Sequence, residues 1–576
     1  MRMKGLHRLA AAAVVAVALV LGVSAAADVG SGSGPPTAVG TGGAAASVER
    51  LATQAAIGIL RRGGNAIDAA VASAAVLGVT EPFSCGIGGG GFMVVRTADG
   101  SITTIDGRET APLAMHPTSF WENGAPLPFN VARYSGLSVG VPGTVETWVE
   151  ALEKFGTMSL AEVFAPAIHI ARHGYMIDQV WFDQVQANRD WFDDIPASAA
   201  LFLDADGTPR DVGTVFTNPA LAATYERIAH LGAKGFYRGA VADALVEAVR
   251  HPVISPAANH VWRPGVIEMR DLHRYTAPER APTHVRYRDL DVYSMGPPSS
   301  GGSTVGEALN ILGGYDLSSM PREEALHYYL EASRFAFADR NAYLADPAFF
   351  DVPLSGLLSE DYAAARRALI TTTAAPGPVA PGDPYPYEGS ETTTHLTTSD
   401  AAGNVVSYTF TIESTGGSGL VVPGYGFLLN NELTDFNFDS TTHPNRVEGG
   451  KRPRSSMAPT IVTRVGTPFL ALGSPGGATI ITTVLQILLD RVDLGLTLPQ
   501  AIADPRASQR NAVNTGAEPA FLSVPERAAL QARGHHFANA GEIGAAAAIE
   551  FLPGGGVLAA AEPIRRGGGS AMTERP

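Results

Sequence analysis

Apolar residues recur at helical spacing over residues 48–59, and Gly63-Gly64-Asn65 interrupt the run. A second, Ala-rich helix is predicted from about residue 66. The same periodicity predicts helices farther along, over residues 144–155, 160–173, most of 180–250, from 304, over 321–344 and over 479–493. These segments supply enough amphipathic surface to cover a sheet.

Alternating apolar and polar residues predict several strands. The clearest pair is a short β run at residues 392–395 and a strand at 405–412, joined by a turn at 400–404, which together indicate a hairpin. Further strands are predicted at residues 284–292, 426–429, 459–463 and 469–472. Mixed helices and hairpins favour antiparallel sheets covered by helices.

Two segments have the composition of linkers. Residues 28–43 form a Gly/Ser/Pro-rich leader, and residues 374–390 contain five prolines together with Gly, Asp and Tyr. Proline lacks an N–H donor and disrupts helices and central strands. The second segment is therefore the best candidate for a break in the chain.

The N-terminus has the order of a secretory signal peptide. Arg2, Lys4 and Arg8 precede an apolar run at residues 9–23 that ends near Ala25-Ala26-Ala27. The alternative is a membrane-anchoring helix, but 15 apolar residues are fewer than the roughly 20 that span a bilayer. We expect residues 1–27 to be removed, which would leave a secreted or periplasmic protein with no stable membrane anchor.

Composition excludes several classes of protein. The 576 residues carry 41 Lys and Arg against 56 Asp and Glu, a net charge of −15, so a nucleic-acid partner is not expected. Cys85 is the single cysteine, which excludes an intrachain disulfide and a Cys-based zinc site. With 45% apolar residues the chain can bury a large core.

Two generic sequence motifs occur in the chain without the neighbouring elements that their functions require. Residues 86–91 fit the dinucleotide fingerprint, but a strand-like run follows where that site needs a helix, so close backbone packing is the better interpretation. Residues 136–140 fit the serine-hydrolase elbow, but Val141-Pro142-Gly143 intervene before any helix begins. The 14 histidines show no HExxH spacing, and we expect neither a metal nor an organic cofactor.

Thr393 is a candidate nucleophile on local grounds. A threonine hydroxyl needs an adjacent base, and a chain cut just before the threonine would supply one in the new α-amino group. The Pro-rich linker that ends at the Thr run is a plausible place for such a cut. An ordinary Thr-rich strand explains the same residues, and local features do not decide between the two.

The chain as a whole resembles the γ-glutamyltranspeptidases, also called glutathione hydrolases, of the N-terminal-nucleophile superfamily. The resemblance covers nearly all of the chain after the leader, in order. Its motifs lie at residues 63–70, 88–93, 106–112, 140–145, 297–302, 338–340, 393–395, 429–431, 451–460 and 473–477.

This resemblance implies the fold and the processing. The expected fold is α/β of the α+β kind, a four-layer αββα sandwich. The expected product is a proenzyme that cuts itself between Thr392 and Thr393, with His395 fixing the register. A large subunit, residues 28–392, and a small catalytic subunit, residues 393–576, would stay together and act on small γ-glutamyl compounds such as glutathione.

The resemblance also assigns residues. Thr393 is the expected nucleophile, Thr411 orients it, and Gly476 and Gly477 donate N–H groups to the oxyanion. Arg108 is expected to bind the substrate α-carboxylate, for which its planar fork of donors is suited. The expected contacts to the rest of the α-amino acid group come from Glu432, Asp435, Ser455 and Ser456.

Two departures from the family pattern bear on specificity. Only 15 residues separate Asp435 from Lys451, fewer than in members with a full lid loop, so we expect a more open pocket. Glu413 stands where many members have asparagine near the substrate amino end. Bulkier substrates are therefore possible, and the alternatives are a glutaryl or cephalosporin acylase, a poly-γ-glutamate hydrolase, or, from another class, an inactive extracellular binding protein.

Overall fold

The computed structural model describes residues 36–381 and 394–575. The predicted signal peptide and the predicted cleavage residues Thr392 and Thr393 lie outside these ranges. The strands are β1 (Thr37–Ser47), β2 (Gly90–Arg96), β3 (Ile102–Gly107), β4 (Trp121–Glu122), β5 (Ala125–Pro126), β6 (Tyr175–Met176), β7 (Val215–Phe216), β8 (Glu279–Arg280), β9 (Thr283–Tyr287), β10 (Leu290–Ser294), β11 (Thr394–Ser399), β12 (Val405–Thr411), β13 (Thr460–Arg464), β14 (Thr467–Gly473), β15 (Ala507–Ser508), β16 (Thr515–Ala517), β17 (Phe537–Asn539), β18 (Ala547–Leu552), β19 (Gly556–Ala561) and β20 (Ser570–Arg575).

Helices cover the outer faces of these strands. They are α1 (Arg50–Arg61), α2 (Ala66–Thr80), α3 (Phe129–Arg133), α4 (Thr144–Phe155), α5 (Leu160–His173), α6 (Gln179–Phe192), α7 (Pro196–Phe202), α8 (Pro219–Leu231), α9 (Lys234–Tyr237), α10 (Ala240–Arg250), α11 (Met269–Arg274), α12 (Gly301–Leu312), α13 (Arg322–Tyr343), α14 (Leu354–Leu357), α15 (Glu360–Arg367), α16 (Thr479–Val492), α17 (Leu498–Ala503) and α18 (Glu526–Ala532). None of the helices in the described ranges has the length and apolar character needed to cross a membrane.

Strand β1 joins two antiparallel sheets. Its first residues, Thr37 to Gly40, pair with β19, and its last residues, Ala44 to Ser47, pair with β11 and β20. The register shifts between Thr41 and Ala44, where Gly42 has a φ of +84°. One sheet has the order β8-β3-β2-β12-β11-β1, and the other continues as β1-β19-β18-β14-β13-β10-β9. A glycine bend therefore lets one strand serve both sheets.

The two sheets pack face to face between two helical layers. Val94, Val405, Ile461 and Ala471 form part of the contact between the sheets. Helices α1, α2, α4, α5 and α8 bury one large apolar cluster against the first sheet. Helices α12, α13 and α16 bury a second cluster against the other. This arrangement is the expected αββα sandwich.

Most of the expected elements are confirmed, and three expectations about strands are wrong. Residues 284–292 form two strands, β9 and β10, because Arg288 adopts a left-handed φ of +59° and turns the chain. Residues 37–43, assigned to the leader, form the first part of β1. Residues 426–429 form no strand, since the left-handed residues Gly424 and Gly426 interrupt the extended backbone and leave one isolated bridge between Val421 and Leu428.

The glycines at the start of β2 allow neighbouring backbone to approach closely. A Cβ on Gly89 would lie 1.8 Å from the Thr411 carbonyl oxygen, and one on Gly91 would lie 2.5 Å from Phe410 Cβ. Both distances are shorter than any tolerated contact. Gly90 begins β2 and pairs with Thr411, so the close packing expected for this segment is present.

We predict that Gly91→Ala lowers the apparent Tm, because the added methyl group forces β2 and β12 apart at a cost of roughly 1–3 kcal/mol. Gly58→Ala is the matched control: Gly58 lies within α1 with no atom within 4 Å of the added Cβ, so the substitution should be neutral or stabilising by about 0.5–1 kcal/mol. Thermal unfolding of both variants compares the two sites. Equal Tm values would contradict the packing argument.

Candidate active site

Thr392 and Thr393 lie outside the described residues, and Thr394 is the first described residue after them. Thr394 is the first residue of β11 and pairs with Phe410 of β12. The next residue of β12 is Thr411, which ends the strand. Thr394, the residue after position 393, therefore lies opposite the residue that precedes Thr411.

Thr411 turns the chain into the loop that carries Glu413. The Glu413 N–H donates to the Thr411 hydroxyl at 2.8 Å, and this hydroxyl lies 3.4 Å from the Glu413 carbonyl oxygen. Thr411 is 2% exposed. Its side chain therefore fixes the first turn after β12.

His395 is a neutral, buried imidazole. Its Nδ1 lies 2.9 Å from the Thr409 hydroxyl and its Nε2 lies 3.0 Å from the Thr397 hydroxyl. Burial lowers the pKa of His395 to about 3. A Cβ on Gly473, the last residue of β14, would lie 2.4 Å from the ring, so the imidazole fills the space between the two sheets. These contacts hold β11 in place next to the candidate nucleophile.

Arg108 lies between two carboxylates. Its guanidinium forms ion pairs with Glu432 and Asp435. Its Nε donates to the Pro453 carbonyl at 3.0 Å, and its Nη2 donates to the Arg454 carbonyl at 3.0 Å. Burial alone would lower the pKa of Arg108, but the two carboxylates outweigh it and raise the pKa. Arg108 is therefore a fixed cation.

More carboxyl groups surround this cation than it can neutralise. Glu109, Glu413 and Glu432 are all buried, and burial raises the pKa of each, while the charge of Arg108 opposes the rise at Glu109 and Glu432. Asp435 raises the pKa of all three. The cluster favours bound protons or a cationic group, and an ammonium ion would meet this requirement.

Glu413 is held in an uncommon backbone conformation. Its φ of +75° lies in the left-handed region, which costs a non-glycine residue of the order of 1–3 kcal/mol. Its carboxylate accepts hydrogen bonds from the Ser414 hydroxyl and the Asn431 amide. These hydrogen bonds hold the carboxyl near Asp435 despite the backbone strain.

Ser455 and Ser456 lie directly after the carbonyls that bind Arg108. The Ser455 carbonyl accepts from Ser300 N–H at 2.8 Å, and the Ser455 hydroxyl accepts from Met457 N–H at 3.1 Å. The Ser456 hydroxyl accepts from Arg340 Nη2 at 2.5 Å. Both serines are buried and stabilise this segment; a direct role in binding substrate stays a prediction.

Gly476 and Gly477 form the turn before α16. Their φ values are +131° and +58°, and a Cβ on Gly476 would lie 2.6 Å from the Thr479 hydroxyl. Neither N–H donates to an acceptor within residues 36–381 or 394–575. Two N–H groups at the start of a 14-residue helix suit an anion. The turn follows β14, whose last residue contacts His395.

The segment after Asp435 packs down onto the protein. Phe436, Phe438 and Val447 are buried in a small apolar cluster. The Asn445 side chain donates to the Asp435 carbonyl at 2.7 Å, and Lys451 Nζ donates to the Pro444 carbonyl at 2.5 Å. These contacts hold the segment against the protein; the more open pocket stays a prediction.

Two residues that support the site carried no assigned role in the sequence. The Asn430 amide donates to the carbonyls of Gly88 and Gly140, at 2.7 and 3.0 Å, and so ties the acid-bearing turn to β2. Arg452 donates to the Arg108 carbonyl and to Asp106. Both residues lie in motifs that carry the family resemblance, at residues 429–431 and 451–460. Only the folded chain shows what their side chains contact.

The two generic motifs have structural explanations. Residues 86–91 lead into strand β2, and no helix follows them. Ser138 ends a short 3₁₀ turn, and its hydroxyl donates to the carbonyls of Arg133 and Ser135, at 2.6 and 2.9 Å. Neither segment has the strand-to-helix geometry of a nucleotide site or a nucleophile elbow. Within the described ranges, no three His, Cys, Asp or Glu residues are placed to hold a metal ion.

Comparison with known proteins gives one consistent result. The family model described as gamma-glutamyltranspeptidase matches residues 52–572. The glutathione hydrolase proenzyme of Pseudomonas sp. (strain A14) is 37% identical, over 86% of this chain and 87% of that protein. The Acylase ACY 1 proenzyme of Pseudomonas sp. (strain SE83) is 36% identical, over 91% and 92%. The crystal structure of cephalosporin acylase from Bacillus halodurans superimposes with a TM-score of 0.84 at 30% identity, over 94% of this chain and 97% of that one.

We predict that Glu413 makes stability fall as pH rises. Burial raises its pKa from 4.5 to about 8, so between these values the folded chain binds a proton that the unfolded chain releases. Glu413→Gln removes this titration, and the decline in Tm from pH 5 to pH 8 should be smaller than in the unsubstituted protein.

Glu226→Gln is the control for this measurement. Glu226 is an exposed residue of α8 that pairs with Arg172 at 2.6 Å on the surface. Its removal should leave the pH dependence of Tm unchanged. An identical pH dependence in the Glu413→Gln variant and the unsubstituted protein would contradict the assignment.

Proposed function

Since the chain belongs to the gamma-glutamyltranspeptidase family, we propose that it is a secreted, self-processing enzyme that hydrolyses and transfers γ-glutamyl groups. Its donors would be glutathione or other γ-glutamyl compounds. The relatives named glutathione hydrolase proenzymes support the class of substrate.

The observation that carries this proposal is the placement of Arg108 between Glu432 and Asp435. An α-amino acid presents a carboxylate and an ammonium group on one carbon, and this cluster presents both complementary charges. Arg108 and Glu432 are buried and the Asp435 side chain is only 8% exposed, so opposite charges are recognised strongly there and water competes little. Ser455, Ser456 and Glu413 would complete the contacts to this end of the substrate.

The proposed nucleophile is Thr393, set free by cleavage after Thr392. Support comes from the register, since Thr394 pairs with the residue before Thr411. The proposed products are a large subunit, residues 28–392, and a small subunit, residues 393–576, that remain associated as a heterodimer.

Processing and catalysis would use the same hydroxyl. In processing, the Thr393 oxygen attacks the carbonyl carbon of Thr392, the C–N bond breaks as nitrogen takes a proton, and water hydrolyses the resulting ester. In catalysis, the free amine of Thr393 accepts the hydroxyl proton as oxygen attacks the γ-carbonyl. The N–H groups of Gly476 and Gly477 would stabilise the oxyanion, the protonated amine would supply a proton to the leaving group, and water or an acceptor amine would release the acyl group.

Export is proposed from the N-terminal residues alone. The order of three basic residues, an apolar run and small residues is that of a cleavable signal peptide. An extracytoplasmic enzyme would then release amino acids and peptides outside the cell.

An acylase of the same fold is the second candidate. The chain is 36% identical to an Acylase ACY 1 proenzyme and superimposes on a cephalosporin acylase over 94% of its length. A glutaryl group lacks the ammonium that Glu432 and Asp435 would bind. The buried acid pair therefore favours γ-glutamyl over glutaryl substrates, and poly-γ-glutamate remains compatible with an open pocket.

We predict that Thr393→Ala stays full length and inactive, because it removes the attacking hydroxyl, whereas Thr393→Ser is cleaved at least partly. Thr392→Ala is the matched control and should still be cleaved before Thr393. Denaturing gels with N-terminal sequencing of the small fragment give the result. Self-cleavage of Thr393→Ala would show that the nucleophile is misassigned, and an uncut, inactive unsubstituted protein would favour the inactive binding protein.

We predict that the unsubstituted protein prefers γ-glutamyl amides to the matching glutaryl amides. Asp435→Asn should lower kcat/KM for the γ-glutamyl amide by roughly 10- to 100-fold, the value of one charge-assisted contact, and change the glutaryl rate little. Asp439→Asn, at an exposed position four residues later, is the control. A strong preference of the unsubstituted protein for glutaryl amides would reject the γ-glutamyl proposal in favour of the acylase.

A further inference from the structure

Arg133 binds the loop that carries Glu413, here called the Glu413 loop (residues 413–419). Its Nε donates to the Gly417 carbonyl at 3.3 Å, and its Nη2 donates to the Thr415 carbonyl. Arg133 ends α3, which packs against the turn Glu432–Asp435. The guanidinium therefore contacts the Glu413 loop, and its helix contacts the turn that carries Glu432 and Asp435.

Arg133 is half-buried and, in the described part of the chain, lacks the carboxylate partner that several arginines of this protein have. It forms no ion pair within 4 Å with any carboxylate of the described residues, and its Nη1 donates to no acceptor there. Burial lowers its pKa, and the nearby charge of Glu413 opposes that change. Four buried arginines are paired: Arg334 with Glu331, Arg366 with Asp339, Arg452 with Asp106, and Arg506 with Glu562.

The position of Arg133 is fixed by the side chains behind it. Its guanidinium lies 4.3 Å from the centre of the Tyr134 ring, which stacks on Trp191 at 3.9 Å. Trp191 stacks in turn on His260 at 3.7 Å, and His260 lies 2.8 Å from Asp194. Asn188 accepts from both Arg133 and the Tyr134 hydroxyl. A stack of this kind presents the cation in one orientation at little entropic cost.

We propose that Arg133 forms an anion subsite for a carboxylate on the leaving group or on the acceptor. This inference rests on the proposed γ-glutamyl transfer and adds a specificity-determining residue for the part of the donor or acceptor that lies beyond the γ-glutamyl group. The free Nη1 arm, the absence of an ion pair within the described chain and the position beside the Glu413 loop carry it. A partly buried cation without a carboxylate is costly, and a ligand anion would offset that cost.

The subsite would give Arg108 and Arg133 different carboxylates to bind. Arg108 and its acids would bind both charged groups of the γ-glutamyl residue, so nothing in that cluster remains for a second carboxylate. Arg133 would bind that second carboxylate. The competing explanation is that Arg133 only holds the Glu413 loop through the carbonyls of Thr415 and Gly417.

Two chromogenic donors separate these explanations: γ-glutamyl-4-nitroanilide and γ-glutamyl-3-carboxy-4-nitroanilide, which differ by one carboxylate on the leaving group. With Arg133→Gln, KM for the carboxylated donor should rise by about 10-fold or more, while KM for the uncharged donor should change less than about 2-fold. Arg133→Lys should recover part of the selectivity, because it keeps the charge without the fork.

Arg189→Gln is the matched control. Arg189 is also partly buried and donates to a backbone carbonyl, that of Gly207 at 2.7 Å, but this contact lies on another loop. It should leave both KM values unchanged. Equal losses for both donors in Arg133→Gln would overturn the subsite in favour of loop positioning, and unchanged values would overturn it as well. If the unsubstituted enzyme turned over neither donor, the proposed function would fail and the subsite with it.

Discussion

The buried ion cluster of Arg108, Glu432 and Asp435 is the interaction on which the site depends. A single buried charge is costly, and removing one partner of such a group leaves the others without compensation. The chain meets this cost by bringing together the end of β3, the turn Glu432–Asp435 and the carbonyls of Pro453 and Arg454. The cluster is therefore built from segments more than 300 residues apart in the chain.

The two-sheet core brings the ends of three strands together. Strand β12 ends at Thr411 beside Gly90, β11 begins at Thr394, and β14 ends against His395. The glycines of β2 permit this approach because any side chain there would collide with β12. Close packing thus brings the start of β11 and the end of β12 together, and the excess of carboxyl groups around Arg108 favours a ligand that carries an ammonium group.

Periodicity predicts the long helices and the β11–β12 hairpin because those segments contain clean apolar patterns; α4 and α5 have the expected bounds. It fails for β1, where alanine and glycine give too weak a pattern, and at Arg288, where a left-handed residue splits one apparent strand. Motif resemblance predicts Arg108, Glu432 and Asp435 as a group, which the structure brings together. It does not predict the contacts of Arg133 or the left-handed backbone conformation of Glu413, because both depend on contacts between distant loops.

We propose that a threonine freed at position 393 carries the γ-glutamyl group that the Arg108 cluster binds. Mass spectrometry of the enzyme quenched during turnover of a γ-glutamyl amide tests this proposal. We expect a small subunit that begins at Thr393 and carries one γ-glutamyl group as an ester on that residue. An uncut chain, a small subunit that begins elsewhere, or a γ-glutamyl group on another residue would contradict it.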